Sequence, residues 1–101
     1  DLTGADLRFA TLDGADFRDC DLTRAKLGNA HAKIEPVSFA RARLSRAELN
    51  NAKLPGADFR EARMWRAVLT GADLGGADLR HAVGGRFDET RIPQMAFAGT
   101  W

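Results

Sequence analysis

Arg24, Arg43, Arg46, Arg63 and Arg66, with Trp65 among them, are the residues of this chain whose type and spacing bear most directly on chemistry. Guanidinium groups pair bidentately with carboxylates and phosphates and stack on rings, so such a set suits an anionic or aromatic partner. Other reactive types are sparse. His31 and His81 are the only imidazoles and lie far apart, and Cys20 is the single thiol. No nucleophile–base constellation, Gly-rich phosphate loop or metal-ligand cluster is present, so no catalytic residue, metal site or cofactor is expected. Asp1, Asp6, Asp16, Asp21, Asp58, Asp73 and Asp78 each precede a large apolar residue. Recurrence at one place fits turns and edge hydrogen bonds better than acid–base or calcium chemistry.

The frame that positions the arginines is an internal repeat of five. Leu or Phe recurs at Leu2, Leu7, Leu12, Phe17, Leu22 and Leu27. The beat resumes two residues out of phase at Ile34, Phe39, Leu44, Leu49, Leu54, Phe59, Met64, Leu69, Leu74 and Leu79. Two residues before nearly every such centre stands Ala, with Cys20 and Val37 as substitutes. A period of five fits neither an amphipathic helix nor a long alternating strand. A chain that turns a corner every five residues keeps all the centres inside, and the small residue leaves room for the large one.

The motif in Ala5-Asp6-Leu7, Ala15-Asp16-Phe17, Ala57-Asp58-Phe59, Ala72-Asp73-Leu74 and Ala77-Asp78-Leu79 resembles the pentapeptide-repeat family. That resemblance implies an all-β fold, a right-handed quadrilateral parallel β-helix with four repeats per coil. Residues 1–82 then form about four coils, with a two-residue bulge within 28–33, and residues 83–101 form a C-terminal capping segment. Phe87, Ile92, Met95, Phe97 and Trp101 are the apolar set suited to that cap. Two columns support the count of four. One wall collects Phe17, Phe39, Phe59 and Leu79, and one corner collects Gly14, Pro36, Gly56 and Gly76, residue types suited to a tight bend.

On the wall centred by Leu2, Leu22, Leu44 and Met64, the position before the centre reads Asp1, Asp21, Arg43, Arg63. The position two after it reads Gly4, Arg24, Arg46, Arg66. This is the candidate binding wall. On the phenylalanine wall Arg18, Arg60 and Arg80 align as well, but Asp16, Asp58 and Asp78 stand close enough to offset them.

Fifteen Lys and Arg against fourteen Asp and Glu leave a formal net charge of +1, which gives no nucleic-acid footprint. No apolar run is long enough to span a bilayer and no signal peptide is evident, so a cytoplasmic location without membrane contact is expected. A single cysteine excludes an internal disulfide. The expected function is a non-catalytic rigid scaffold or interaction module whose partner is another protein. The uncapped first coil also suggests a homodimer through an open solenoid end. Some members of the family shield DNA gyrase from quinolones by mimicking duplex DNA, which is the alternative. It requires a long, acidic rod, and this chain departs on length and on charge.

Overall fold

In the computed structural model the structure describes residues 1–84. They form a right-handed quadrilateral parallel β-helix. Its ladder is a set of single parallel bridges, one per wall at each step. Thus Asp6 pairs with Lys26, Thr11 with His31, Asp16 with Ser38 and Asp21 with Arg43, and the same sequence repeats in the coils below.

Four backbone bonds build a regular repeat, one of them the corner bond from the N–H two after the centre to the coil below, as Arg24 donates to the Ser45 carbonyl at 2.9 Å. The N–H of a centre residue donates to the coil below, as Leu22 does to the Arg43 carbonyl at 2.7 Å. The residue before the centre donates upward, as Arg43 does to the Cys20 carbonyl at 2.9 Å. The centre carbonyl accepts from the N–H three residues on, as Leu22 does from Ala25 at 2.9 Å, which closes a β-turn. In that turn the second residue after the centre has φ between 58° and 72°, whether Gly or not, except at the corner that Pro36 fills. Positive φ at the third turn residue alone is the type II signature.

Four walls follow. The first has centres Leu2, Leu22, Leu44 and Met64; the second Leu7, Leu27, Leu49 and Leu69; the third Leu12, Ala32, Leu54 and Leu74; the fourth Phe17, Phe39, Phe59 and Leu79. From Leu22 onward every centre is 0–1% exposed, and the small residues from Ala25 to Ala82 line the shaft with them. The first coil has a described neighbour on one side only, so Leu2, Leu7, Ala10, Ala15, Phe17 and Cys20 are partly buried. The phenylalanines stack face to face, Phe17 on Phe39 at 5.2 Å and Phe39 on Phe59 at 5.0 Å between ring centroids.

One expectation is corrected. The sequence reading put Ile34 in the shaft and the two extra residues within 28–33. Ile34 is instead 85% exposed, and Ala32 occupies the centre, its N–H donating to the Lys53 carbonyl at 2.9 Å. His31 belongs to the regular coil, bridged to Thr11 above and Lys53 below. The insertion falls at Lys33 and Ile34, because Gly14 N–H already meets the Glu35 carbonyl at 3.1 Å in the usual corner bond. Pro36 keeps its corner place. A Cβ built on Gly56 would lie 3.4 Å from the Pro36 ring, and one built on Gly76 would lie 3.9 Å from Gly56. Asp13 secures the bulge by accepting from the N–H groups of Ile34 (2.7 Å) and Glu35 (3.1 Å).

Pairing runs one residue past the expected boundary at 82, since Val83 bridges Arg63. The expected cap residues Phe87, Ile92, Met95, Phe97 and Trp101 lie outside the described residues.

Candidate functional site: the arginine wall

The recurrent aspartates have a local task. Each carboxylate standing before a centre accepts from the N–H two residues on: Asp6 from Arg8 (3.1 Å), Asp16 from Arg18 (3.0 Å), Asp58 from Arg60 (3.0 Å), Asp73 from Gly75 (3.0 Å) and Asp78 from Arg80 (3.1 Å). Asp1 and Asp21 do the same with Thr3 and Thr23, and also take those hydroxyls at 2.6 Å. The bond holds the chain at the entry to the turn.

Where the residue two after the Asp is Arg, the guanidinium returns to the same carboxylate in a fork. Arg18 donates through Nε (2.8 Å) and Nη2 (2.7 Å) to Asp16, and Arg8, Arg60 and Arg80 repeat the arrangement on Asp6, Asp58 and Asp78. These guanidinium bonds hold the Asp16 carboxyl down at about 2 and lower Asp6, Asp58 and Asp78 as well. Arg41 pairs across coils with Asp19 at 2.9 Å. The phenylalanine wall is thus electrically closed on itself.

The first wall is built differently. In its third and fourth coils the place that Asp fills elsewhere is taken by Arg43 and Arg63, which removes the carboxylate and adds a cation at one stroke. Arg24, Arg46 and Arg66 follow one another down the corner, with Arg24 N–H on the Ser45 carbonyl (2.9 Å) and Arg46 N–H on the Trp65 carbonyl (2.8 Å). All five are exposed, and among the described residues none of them forms an ion pair, whereas Arg8, Arg18, Arg41, Arg60 and Arg80 all do. Asp21 stands one bridge above Arg43, and its carboxyl is lowered first by the Thr23 bonds and then by the charge of Arg43.

Trp65 is 54% exposed and holds two of the cations. The Arg66 guanidinium carbon lies 4.4 Å from the indole centroid and that of Arg46 lies 5.6 Å away, both within cation–π range. A guanidinium on an aromatic face keeps its in-plane N–H groups free for a bidentate acceptor. Around the corner toward the fourth wall, Asp19, Arg41, Arg43, Glu61 and Arg63 line a shallow groove of about 360 Å³.

The structure therefore brings Arg24, Arg43, Arg46, Arg63, Trp65 and Arg66 together on one wall. It keeps His31 and His81 apart, on the third wall and at the corner after the fourth. Among the described residues no group of His, Cys, Asp and Glu could hold a metal ion. Cys20 lies partly buried against the shaft, in the position Ala fills elsewhere. No helix among the described residues is long and apolar enough to cross a membrane. Sequence reasoning missed Arg41 and Glu61 of the groove; the signal was their place at the corner next to Arg43 and Arg63.

No curated protein sequence matches the chain. Solved structures do. The pentapeptide repeat protein alr5209 from Nostoc PCC 7120 is 31% identical, with 98% of this chain and 81% of that chain covered and a TM-score of 0.81. The pentapeptide repeat protein AT2G44920 of the Arabidopsis thaliana thylakoid lumen is 29% identical over 99% of this chain and 59% of its own, less than two thirds, with a TM-score of 0.49. QnrB1, a plasmid-mediated fluoroquinolone resistance protein, is 18% identical over 92% of this chain and 77% of its own, with a TM-score of 0.40. The family model for pentapeptide repeats matches in eight copies over residues 1–33, 37–66 and 47–83. With the five-residue beat, the four-walled coil and that match in agreement, the chain belongs to the pentapeptide-repeat family.

Proposed function

We propose that this chain is a non-catalytic interaction module that captures an acidic protein surface through its first wall. The observation that carries the reading is the partition of the arginines: among the described residues, every Arg outside that wall is ion-paired and every Arg on it is not. Stacked coils supply a rigid, extended surface, so little conformational freedom is lost when a partner docks. A DNA-mimicking role against gyrase would call for carboxylates where this wall presents guanidinium groups.

The test is capture on immobilised polyglutamate, comparing wild type with a variant carrying alanine at positions 43, 46, 63 and 65. Wild type is expected to be retained and to elute as salt rises, because exposed charge pairs are screened. The variant is expected to pass through while its melting temperature stays within a few degrees of wild type. Equal retention of the two proteins would refute the reading.

A further inference from the structure

The spacing of the arginine columns goes further and selects the kind of acidic partner; this inference rests on the anion-capture reading above. Coils stack about 4.8 Å apart, so Arg24, Arg46 and Arg66 span about 10 Å over two steps, and Arg43 and Arg63 run beside them. An extended acidic strand places same-side carboxylates about 6.7 Å apart, or about 13 Å over two steps. An α-helix lying along the solenoid axis places residues i, i+4 and i+7 on one face with a total rise of about 10.5 Å. The helix matches the ladder to within about 1 Å, and the strand misses it by about 4 Å.

Register matters here because two of the guanidinium groups are not free to wander. Trp65 lies 4.4 Å from the Arg66 guanidinium and 5.6 Å from that of Arg46, which favours positions beside the indole for both. The column between the two rows of arginines carries Thr23, Ser45 and Trp65, so the middle of the face is polar above and aromatic below. We infer that the partner element is an α-helix with an acidic stripe at i, i+4 and i+7, docked parallel to the solenoid axis between the Arg43–Arg63 and Arg24–Arg46–Arg66 columns. Its acidic stripe takes the ladder, and an apolar residue at its lower end covers Trp65.

Two peptides of identical composition separate the outcomes. One carries Glu at i, i+4 and i+7 on a single helical face. The other has the same residues permuted so that Glu is spread around the helix, with helicity matched by circular dichroism. Titrated against the full chain by fluorescence anisotropy at low salt, the striped peptide is expected to bind about tenfold more tightly. Arg46→Asn with Arg66→Asn should erase the preference, Asn being chosen because it tolerates the left-handed backbone at both positions. Equal affinity for the two peptides would overturn the helical register and leave the anion-capture reading standing. Failure of both to bind would overturn both.

Discussion

Sixteen corners turn the described residues, and fifteen of them place a residue at positive φ, Pro36 being the exception. Ten of the fifteen are not glycine, among them Arg24, Arg46, Glu61, Arg66 and His81. A side chain in the left-handed region costs about 1 kcal/mol relative to Gly. Equivalent corners should therefore respond with opposite signs. Gly76→Ala meets no atom nearer than 3.9 Å and should cost about 1 kcal/mol from backbone strain alone. Glu61→Gly should gain about 0.5 kcal/mol, the relief of strain being partly cancelled by the freer unfolded chain. Urea denaturation of both variants checks the pair.

The aspartate forks set the response to acid. The Asp16 carboxyl is lowered from 3.8 to about 2, chiefly by the Arg18 side chain, and Asp6, Asp58 and Asp78 are lowered in the same way. A lowered folded value means that the ionised pair contributes stability above the unfolded value and loses it as the pH falls through the folded one. The melting temperature should be flat above about pH 5 and decline between about 4 and 2. The decline should be small, since Asp16 is half exposed and Asp58 and Asp78 are only partly shielded from solvent, and shallower still when Asp16, Asp58 and Asp78 are changed to Asn.

At the scale of the coil, the sequence was most readable where side chains repeat by type. The phenylalanine column and the Gly14–Pro36–Gly56–Gly76 corner align from the residue order alone, because stacked walls sort like residues at intervals of one coil. The bulge could not be placed so easily. A rule that favours large apolar centres picks Ile34 over Ala32, yet the shaft accepts Ala32 and turns Ile34 out to solvent. The overlooked signal was Ala30, which continues the small-residue beat five after Ala25. Ion pairing was half legible: Asp-x-Arg can be read as a fork, but the lack of ion pairs on the first wall among the described residues depends on side-chain positions.

Consequences at this scale are direct. Phe39 stacks on both neighbours and is fully buried, so Phe39→Ala should cost about 4 kcal/mol and Phe39→Leu about 1 kcal/mol. Ile34→Ser should change stability by less than about 0.5 kcal/mol. Deleting Lys33 and Ile34 restores the five-residue count and should leave a cooperative unfolding transition close to that of wild type. Loss of the transition would mean that the bulge is part of the frame and not an insertion into it.

Taken as a whole molecule, the chain is nearly neutral, with a formal net charge of +1, so its net charge cannot say what it binds. The distribution does. Charge on the fourth wall is cancelled within single repeats or between adjacent coils, while among the described residues the cations of the first wall form no ion pair. The most direct measurement removes three arginines from either wall at equal cost in net charge. One variant carries Arg43→Gln, Arg63→Gln and Arg66→Gln, and the other Arg18→Gln, Arg60→Gln and Arg80→Gln. Titration of an acidic helical peptide should show binding lost by the first variant and kept by the second. Equal loss in both would show that overall charge, not the unpaired wall, governs recognition, and would contradict the account.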